Sequence, residues 1–414
     1  MRKFLSILNI ISVLGLFIPQ FTFAARLWQT GVELQSTTSG VDWDSTLGSP
    51  TINTTTKRSG AASLRCNPTA AAWYIRHRYA GTGATTIYAR FYIYISTATD
   101  GTETIVRLGD SGFATEPDVY LQITTGNILQ LRDSAGTQIG SNSSALNTGQ
   151  WYRVELESPF SPGDTGNTYK ARLDGTEFAS GTGAGFLGDA VNFLQVGIIT
   201  ASTADIYFDD IAVNDNQGSA QTSYPGAGSI VHMHPTAAGD AAATTGLFSA
   251  VDEVTPNDAT DYIEQDTIAE VDYNFETSAT AGIGASDTIT LVQVGTRQHP
   301  ETAAAAGWRA LVMTQTGGTT AYGNAKTHND TTWKTNGDAL PKIYSLTSYV
   351  DPQAGGAWTP ALLDTMQAGV DVTDATPNMF FSTIWALVEY VPSGATTTPI
   401  RLLSSTGVGG NVQV

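Results

Sequence analysis

Apolar and polar residues alternate along most of this chain in short runs. Every-other-residue spacing sends successive side chains to opposite faces of a strand. Such runs cover residues 73–79, 87–95, 103–108, 119–123, 128–132, 151–157, 169–173, 193–199 and 205–213. Turn formers separate them: Gly81-Thr82-Gly83, Asp100-Gly101, Thr125-Gly126-Asn127, Ser134-Ala135-Gly136 and Asp174-Gly175. Short strands punctuated by Gly, Asn and Asp predict a sandwich or jelly roll over residues 25–215. Residues 216–228 are rich in Gln, Gly, Ser and Pro and read as a linker. Further runs at 230–234, 262–264, 270–275, 288–298, 308–315, 343–349 and 380–390 predict a second β-sandwich over residues 229–391. One helix is expected at 359–368, with Thr359 as cap, Pro360 in the first turn, Leu362, Leu363 and Met366 on the apolar face, and Gly369 closing it. Residues 392–414 have no period and read as a flexible tail.

Composition agrees with an all-β chain. Of 414 residues, 41% are hydrophobic, enough for real cores, and only 14% are charged, against roughly 25% in an ordinary soluble protein. A helical bundle and a chain disordered throughout are both excluded. Acidic residues outnumber basic ones 38 to 20, a net charge of −18. That is the wrong sign for non-specific nucleic-acid binding or for docking to anionic lipid. The one cysteine, Cys66, allows no intrachain disulfide and no Cys-rich zinc site, and is expected to be a small buried hydrophobe. Arg2 and Lys3 precede an apolar run over residues 4–18, then Pro19, and Ala24 stands where cleavage would follow. This is the order of a secretory signal over residues 1–24, and the run is shorter than the about 20 residues of a membrane span. The expectation is a secreted or cell-surface protein of a bacterial envelope or exterior, with no transmembrane segment after cleavage.

Particular stretches resemble known families. Thr30-Gly31-Val32-Glu33, Lys57-Arg58-Ser59-Gly60-Ala61-Ala62-Ser63-Leu64-Arg65, Gly149-Gln150-Trp151-Tyr152-Arg153-Val154-Glu155-Leu156 and Ile206-Tyr207-Phe208-Asp209-Asp210-Ile211-Ala212-Val213 together look like a concanavalin A-like, laminin-G-type jelly roll. That superfamily includes carbohydrate binders, adhesive modules and some glycan-cleaving enzymes. In the second region, Pro256-Asn257-Asp258-Ala259-Thr260-Asp261-Tyr262-Ile263, Asp272-Tyr273-Asn274-Phe275, Gly317-Gly318-Thr319-Thr320-Ala321-Tyr322-Gly323, Trp358-Thr359-Pro360 and Ala386-Leu387-Val388-Glu389-Tyr390 are similar to an uncharacterised β-sandwich module of tailed-phage structural proteins and bacterial surface proteins. This second resemblance implies a structural or surface role. The export signal departs from the phage pattern.

Candidate chemistry follows from the alternation. Tyr88, Arg90, Tyr92 and Tyr94 point one way from their strand, Arg76 and Arg78 alternate in another, and Tyr120 and Gln122 in a third. If these strands share a sheet, one wall carries all eight. Tyrosines stack on sugar rings, while Arg and Gln bind hydroxyls or carboxylates, so the expected partner is a glycan or cell-surface polysaccharide. Glu33, Asp209 and Asp210 are expected to meet where first and last strands pair, as oxygen ligands of a structural calcium. Enzyme readings have less to stand on. Glu155 and Glu157 share a strand face but are expected to meet solvent, and His77 falls on the opposite face from Arg76 and Arg78, which argues against a lyase base there. His232 and His234 share a face, with His299 or His328 as conceivable further zinc or copper ligands, though chance spacing explains them as well. The Gly-rich stretches lack a phosphate-loop Lys. The reading is a non-catalytic carbohydrate-binding or adhesion protein. The alternatives are a phage-like appendage component, which should self-associate as a homo-oligomer, and a polysaccharide-degrading enzyme.

Overall fold

The computed structural model describes residues 25–79, 86–110, 117–159, 167–183, 191–337 and 343–394. The stretch expected to be a signal, 1–24, and all but the first three residues of the expected tail lie outside them. The first lobe contains β1 (Arg26–Thr30), β2 (Ser45–Leu47), β3 (Thr51–Asn53), β4 (Ser63–Cys66), β5 (Ala71–Arg78), β6 (Thr86–Thr97), β7 (Glu103–Gly109), β8 (Pro117–Ile123), β9 (Leu129–Asp133), β10 (Gln138–Ile139), β11 (Trp151–Pro159), β12 (Thr168–Leu173), β13 (Thr176–Thr182), β14 (Phe193–Ser202) and β15 (Asp205–Asp215). The second contains β16 (Ser229–Met233), β17 (Pro235–Ala238), β18 (Ile263–Gln265), β19 (Glu270–Phe275), β20 (Thr288–Pro300), β21 (Ala306–Met313), β22 (Ala321–Tyr322), β23 (Lys326–His328), β24 (Lys334–Thr335), β25 (Leu346–Ser348), β26 (Gln367–Asp374) and β27 (Met379–Val391). The protein is an all-β sandwich protein, as the alternation implies.

Two antiparallel sheets build the first lobe. One runs β13-β12-β11-β6-β15-β4-β3, with β1 also on β15; the other runs β10-β9-β8-β7-β14-β5-β2. The inward halves of the alternating runs meet between them: Ile87, Ala89, Phe91 and Ile93 of β6 face a core shared with Leu194, Val196 and Ile198 of β14. The second lobe repeats the plan with β16-β27-β20-β24 opposite β17-β19-β26-β21-β22. Val231, Phe381, Val388, Trp308 and Val370 fill its core.

The expected helix at 359–368 is a single turn, α1 (Pro360–Leu363). Thr359 caps it, its hydroxyl accepting from Leu362 N at 3.3 Å. Residues 367–374 are strand β26, because Ala368, Val370 and Val372 keep a period of two and enter the core. Gly369 therefore does not close a helix. It lies where β26 presses on β19, and a Cβ there would stand 1.9 Å from Val271 O.

The lobes pack on each other. Ile230, Tyr344, Trp385 and Leu387 of the second join the apolar core of the first. Glu389 lies between two first-lobe arginines, 2.8 Å from Arg26 Nη2 and 2.6 Å from Arg90 Nη1. The segment read as a linker is fastened along the first lobe. Tyr224 Oη donates to Glu157 Oε2 at 2.6 Å, Gly226 N to Glu155 Oε1 at 2.8 Å, and Asn214 Nδ2 to Ser223 O at 2.7 Å.

Candidate functional site

The eight residues expected on one wall occupy two. β6 belongs to one sheet of the first lobe, and β5 and β8 to the other, so Tyr88, Arg90, Tyr92 and Tyr94 are separated from Arg76, Arg78, Tyr120 and Gln122 by the whole core. The β6 set is also divided along its own strand. Tyr88 packs on Tyr224, ring centroids 5.0 Å apart. Arg90 is fully buried against Glu389. Tyr92 is buried beneath the Arg58 guanidinium, which stands 3.5 Å from its ring centroid. Tyr94 meets Trp151 and Tyr207. The middle of this face serves the lobe junction, so the expectation of a single Tyr/Arg wall shared by the three strands is corrected.

The opposite sheet keeps its outer face. Register places one residue from each of its seven strands in a single lateral row: Gln138 opposite Arg132, Arg132 opposite Tyr120, Tyr120 opposite Arg107, Arg107 opposite Gln195, Gln195 opposite Arg76, and Arg76 opposite Ser45. Directly opposite residues share a face. Their neighbours along each strand, Leu131, Leu121, Val106, Val196 and Ile75, enter the core, which confirms that the row faces outward. Three arginines thus recur on every second strand, roughly 10 Å apart at the ordinary strand spacing. No carboxylate interrupts the row.

Electrostatics within the row are those of a partly desolvated cationic face. Burial pushes the Arg107 guanidinium down, opposed by the neighbouring Tyr74 and Tyr120. Burial pushes the Tyr120 phenol up, and Arg132 and Arg107 pull against it. Arg76 Nε and Gln195 Oε1 are buried with no hydrogen-bond partner among the described residues. Arg76 and Arg78 both lie over Phe193, their guanidinium carbons 5.3 and 5.4 Å from its centroid. Arg78 stands one row further along β5, and Gln122 pairs with Gln130 in the adjoining row. Arg107, Arg132 and Gln195 were missed by sequence reading. Each sits at an outward position of an alternating run, but only strand order lines them up.

Glu33, Asp209 and Asp210 do converge, and they divide the labour. Asp210 is taken up by protein donors: Arg58 Nη1 donates to Oδ2, and Ser59 Oγ and Ile230 N donate to Oδ1. Asp209 Oδ2 accepts from Arg58 N at 2.8 Å. Glu33 Oε2 accepts from Ala61 N at 2.7 Å, while its Oε1 is buried without a partner. Burial pushes Glu33 up to about 8, against the Ala61 N–H and with help from the Asp210 charge. Burial and then the Asp210 charge hold Asp209 well above the usual carboxylate range. Among the described residues no set of three or more His, Cys, Asp or Glu is arranged to hold a metal ion. Asp209 Oδ1 accepts from Asp210 N at 2.7 Å, so of the three acids only Glu33 Oε1 has no hydrogen bond, and Asp210 is committed to Arg58.

Other candidates lose their expected surroundings. Glu155 is buried, not solvent-facing, and serves the segment at Gly226. His77 stacks inside the lobe on Trp28 at 4.2 Å. His232 stacks on Trp385 at 5.6 Å, and burial holds it well below the ordinary histidine range. His299 and His328 pack against other partners, His299 among surface rings and His328 beside Asp330. Cys66 is buried, and burial pushes its thiol up to about 12, so it is inert at neutral pH.

No family model matches the chain, and no curated protein does. Three solved structures that it resembles each overlap less than half of it. The cellulose-induced protein Cip1 is 16% identical over 45% of this chain and 91% of its own, with a TM-score of 0.32. The alginate lyase Aly36B is 10% identical over 48% of this chain and 99% of its own, at 0.33. A sialidase of Trypanosoma rangeli is 12% identical over 47% of this chain and 31% of its own, also at 0.33. Among the described residues no helix is long and apolar enough to cross a membrane.

Proposed function

We propose that this is an exported, non-catalytic glycan-binding protein whose first lobe holds an anionic polysaccharide along the outer row of its second sheet. One observation carries the reading: Arg132, Arg107 and Arg76 stand in register on alternate strands, interleaved with Tyr120 and Gln195 and with no acid between them. In a chain of net charge −18, such a cationic stripe needs a reason. Guanidinium groups bind carboxylates in forked pairs, Gln meets hydroxyls, and the Tyr ring offers an apolar face to a sugar. An extended polyuronate presents carboxylates repeatedly along its length, which suits a repeated cation. Calcium is proposed as a structural ion held by Glu33 and Asp209. The buried, unpartnered Glu33 Oε1 supports this, and the ion would favour the ionised form of two carboxyls that burial pushes up.

The test is affinity electrophoresis and calorimetry with alginate and polygalacturonate, comparing wild type with a variant carrying Arg76→Gln, Arg107→Gln and Arg132→Gln. Binding should fall at least tenfold while the unfolding midpoint holds. Equal affinity in the triple variant would overturn the proposal. A second reading rests on Tyr120, which lies in register between Arg107 and Arg132. A phenol beside carboxylate-neutralising cations is what a polyuronate lyase requires. Unsaturated products from these same polymers, lost in Tyr120→Phe, would favour it.

A further inference from the structure

The second lobe carries a separate cluster of aromatic rings at its surface. Register sets Glu264, Phe380 and His299 side by side across β18, β27 and β20. Their strand neighbours Ile263, Met379 and Phe381 enter the core, so these three face outward. Tyr262, just before β18, and Trp333, just before β24, fold onto the same face. The four rings close a cycle. Tyr262 contacts Phe380 at 5.3 Å, Phe380 contacts His299 at 5.1 Å, His299 contacts Trp333 at 4.3 Å, and Trp333 contacts Tyr262 at 6.0 Å. Tyr262 is 41% exposed, and the other three rings are half-buried. This is the face of β27 that carries Trp385 and Leu387 into the first lobe, re-emerging past an irregularity in its pairing with β20.

The polar rim has a definite character. Glu264 Oε1 accepts from Asn378 Nδ2 at 2.7 Å, which fixes the carboxylate and leaves it further acceptor capacity. His299 Nδ1 lies 2.7 Å from Pro300 O. A carbonyl only accepts, so Nδ1 carries the proton and Nε2 of the neutral ring is an acceptor. Acceptors and ring faces together match a ligand that has apolar C–H faces and hydroxyl donors. An anionic ligand would be repelled by Glu264. A protein partner would need on the order of 800 Å² per side, around 20–30 residues, far more than this cluster of rings.

We propose that the Tyr262–Trp333–His299–Phe380 cluster is a binding site for a neutral glycan, stacking sugar rings on Tyr262 and Trp333 and receiving hydroxyl hydrogen bonds at Glu264 and His299. The site is independent of the arginine row and goes beyond it, giving the two lobes ligands of different charge.

The experiment is native affinity electrophoresis of the full chain in gels holding soluble β-glucan, galactomannan or dextran. At least one should retard the wild type. Tyr262→Ala and Trp333→Ala should each weaken that retardation tenfold or more, while the arginine triple variant keeps it. Tyr262→Phe, which keeps the ring, should stay within about threefold of wild type. Thermal unfolding identifies any variant that fails to fold, and the Tyr262 pair then decides. Unretarded migration in all three gels would overturn the proposal, as would Tyr262→Ala behaving like wild type. Self-association in sedimentation that Tyr262→Ala abolishes would assign the rings to a second copy and overturn it too. Alginate binding is read separately, so failure here leaves the arginine row standing or falling on its own result.

Discussion

Arg90 of the first lobe and Glu389 of the second form an ion pair at 2.6 Å with both side chains sealed from solvent. Arg26 shares the same carboxylate at 2.8 Å. Burial alone would raise the Glu389 carboxyl, but the Arg26 and Arg90 charges, with hydrogen bonds from Arg26 and Thr290, overcome this and bring it down to about 2. Removing one member of a buried pair leaves an uncompensated charge, at a cost of about 3–5 kcal/mol. Glu389→Gln strands two guanidinium groups, so its denaturant midpoint should fall by that equivalent. An unchanged midpoint would mean that the lobes do not depend on this contact. The lowered carboxyl also sets an acid limit: its contribution is complete above the unfolded value near 4.5 and is lost as pH falls through about 2.

Asp42 behaves in the opposite sense. It is buried, and desolvation raises it to about 7, with the Thr30 hydroxyl opposing. Between its unfolded value of 3.8 and about 7 the folded chain holds a proton that the unfolded chain has released. Stability therefore falls as pH rises across that window, by on the order of 4 kcal/mol at completion. Asp42→Asn keeps the shape without the titration. Urea unfolding at pH 5 and pH 8 should show a smaller loss in the variant than in wild type. Parallel profiles would refute the assignment.

Calcium, if it sits at Glu33 and Asp209, ties the start of the first lobe to its last strand. Millimolar calcium should then raise the unfolding temperature over an EDTA control, and Glu33→Gln should erase the difference. Magnesium should do less, since it demands a stricter octahedron and holds its waters. Identical melting in calcium and EDTA would remove the ion from the proposal.

Where runs alternate, as over 87–95, the sequence told which side of the strand faces inward. It could not tell which strands are neighbours. Arg76 and Tyr92 both read as outward residues of alternating runs, yet one looks out from β5 and the other is pressed beneath Arg58 on the opposite sheet. Chain order misleads here, because the connection from β5 to β6 crosses between sheets. β1 was invisible for another reason. All five of its residues are buried, and its polar members Arg26, Gln29 and Thr30 find partners in Glu389, Arg26 and Asp42, so no polar face marks its period. Gly369 shows the same limit: a glycine after an apolar run reads as a helix stop, and only the approach of β19 shows why no side chain fits.

That close approach makes a sharp prediction. A Cβ on Gly369 would meet Val271 O at 1.9 Å, and the obstacle is backbone inside a sheet, which cannot swing aside like a side chain. Gly369→Ala should cost at least the 1–3 kcal/mol typical of overpacking, seen as a lowered midpoint. Gly282→Ala is a useful comparison: its added Cβ meets nothing within 4 Å, but its φ of 84° still strains an L-residue. Gly369→Ala should be the more damaging of the two. The reverse order would mean that the β19–β26 pair opens more easily than its packing implies.

The arginine row can be probed without removing its charge. Lys at position 107 keeps a cation but loses the planar fork that grips a carboxylate through two parallel hydrogen bonds. If the row merely attracts polyanions through its field, Arg107→Lys should bind alginate as wild type does, and both should weaken together as salt rises. If it recognises carboxylates individually, Arg107→Lys should lose about tenfold in affinity at every salt concentration, with the same salt slope. The half-buried position of Arg107 between Tyr120 and Gln195 favours the second outcome, because a guanidinium already stripped of part of its water gains more from a directed partner than from a distant field. Calorimetry at three salt concentrations separates the two, and an affinity unchanged by Arg107→Lys would reduce the row to an electrostatic stripe.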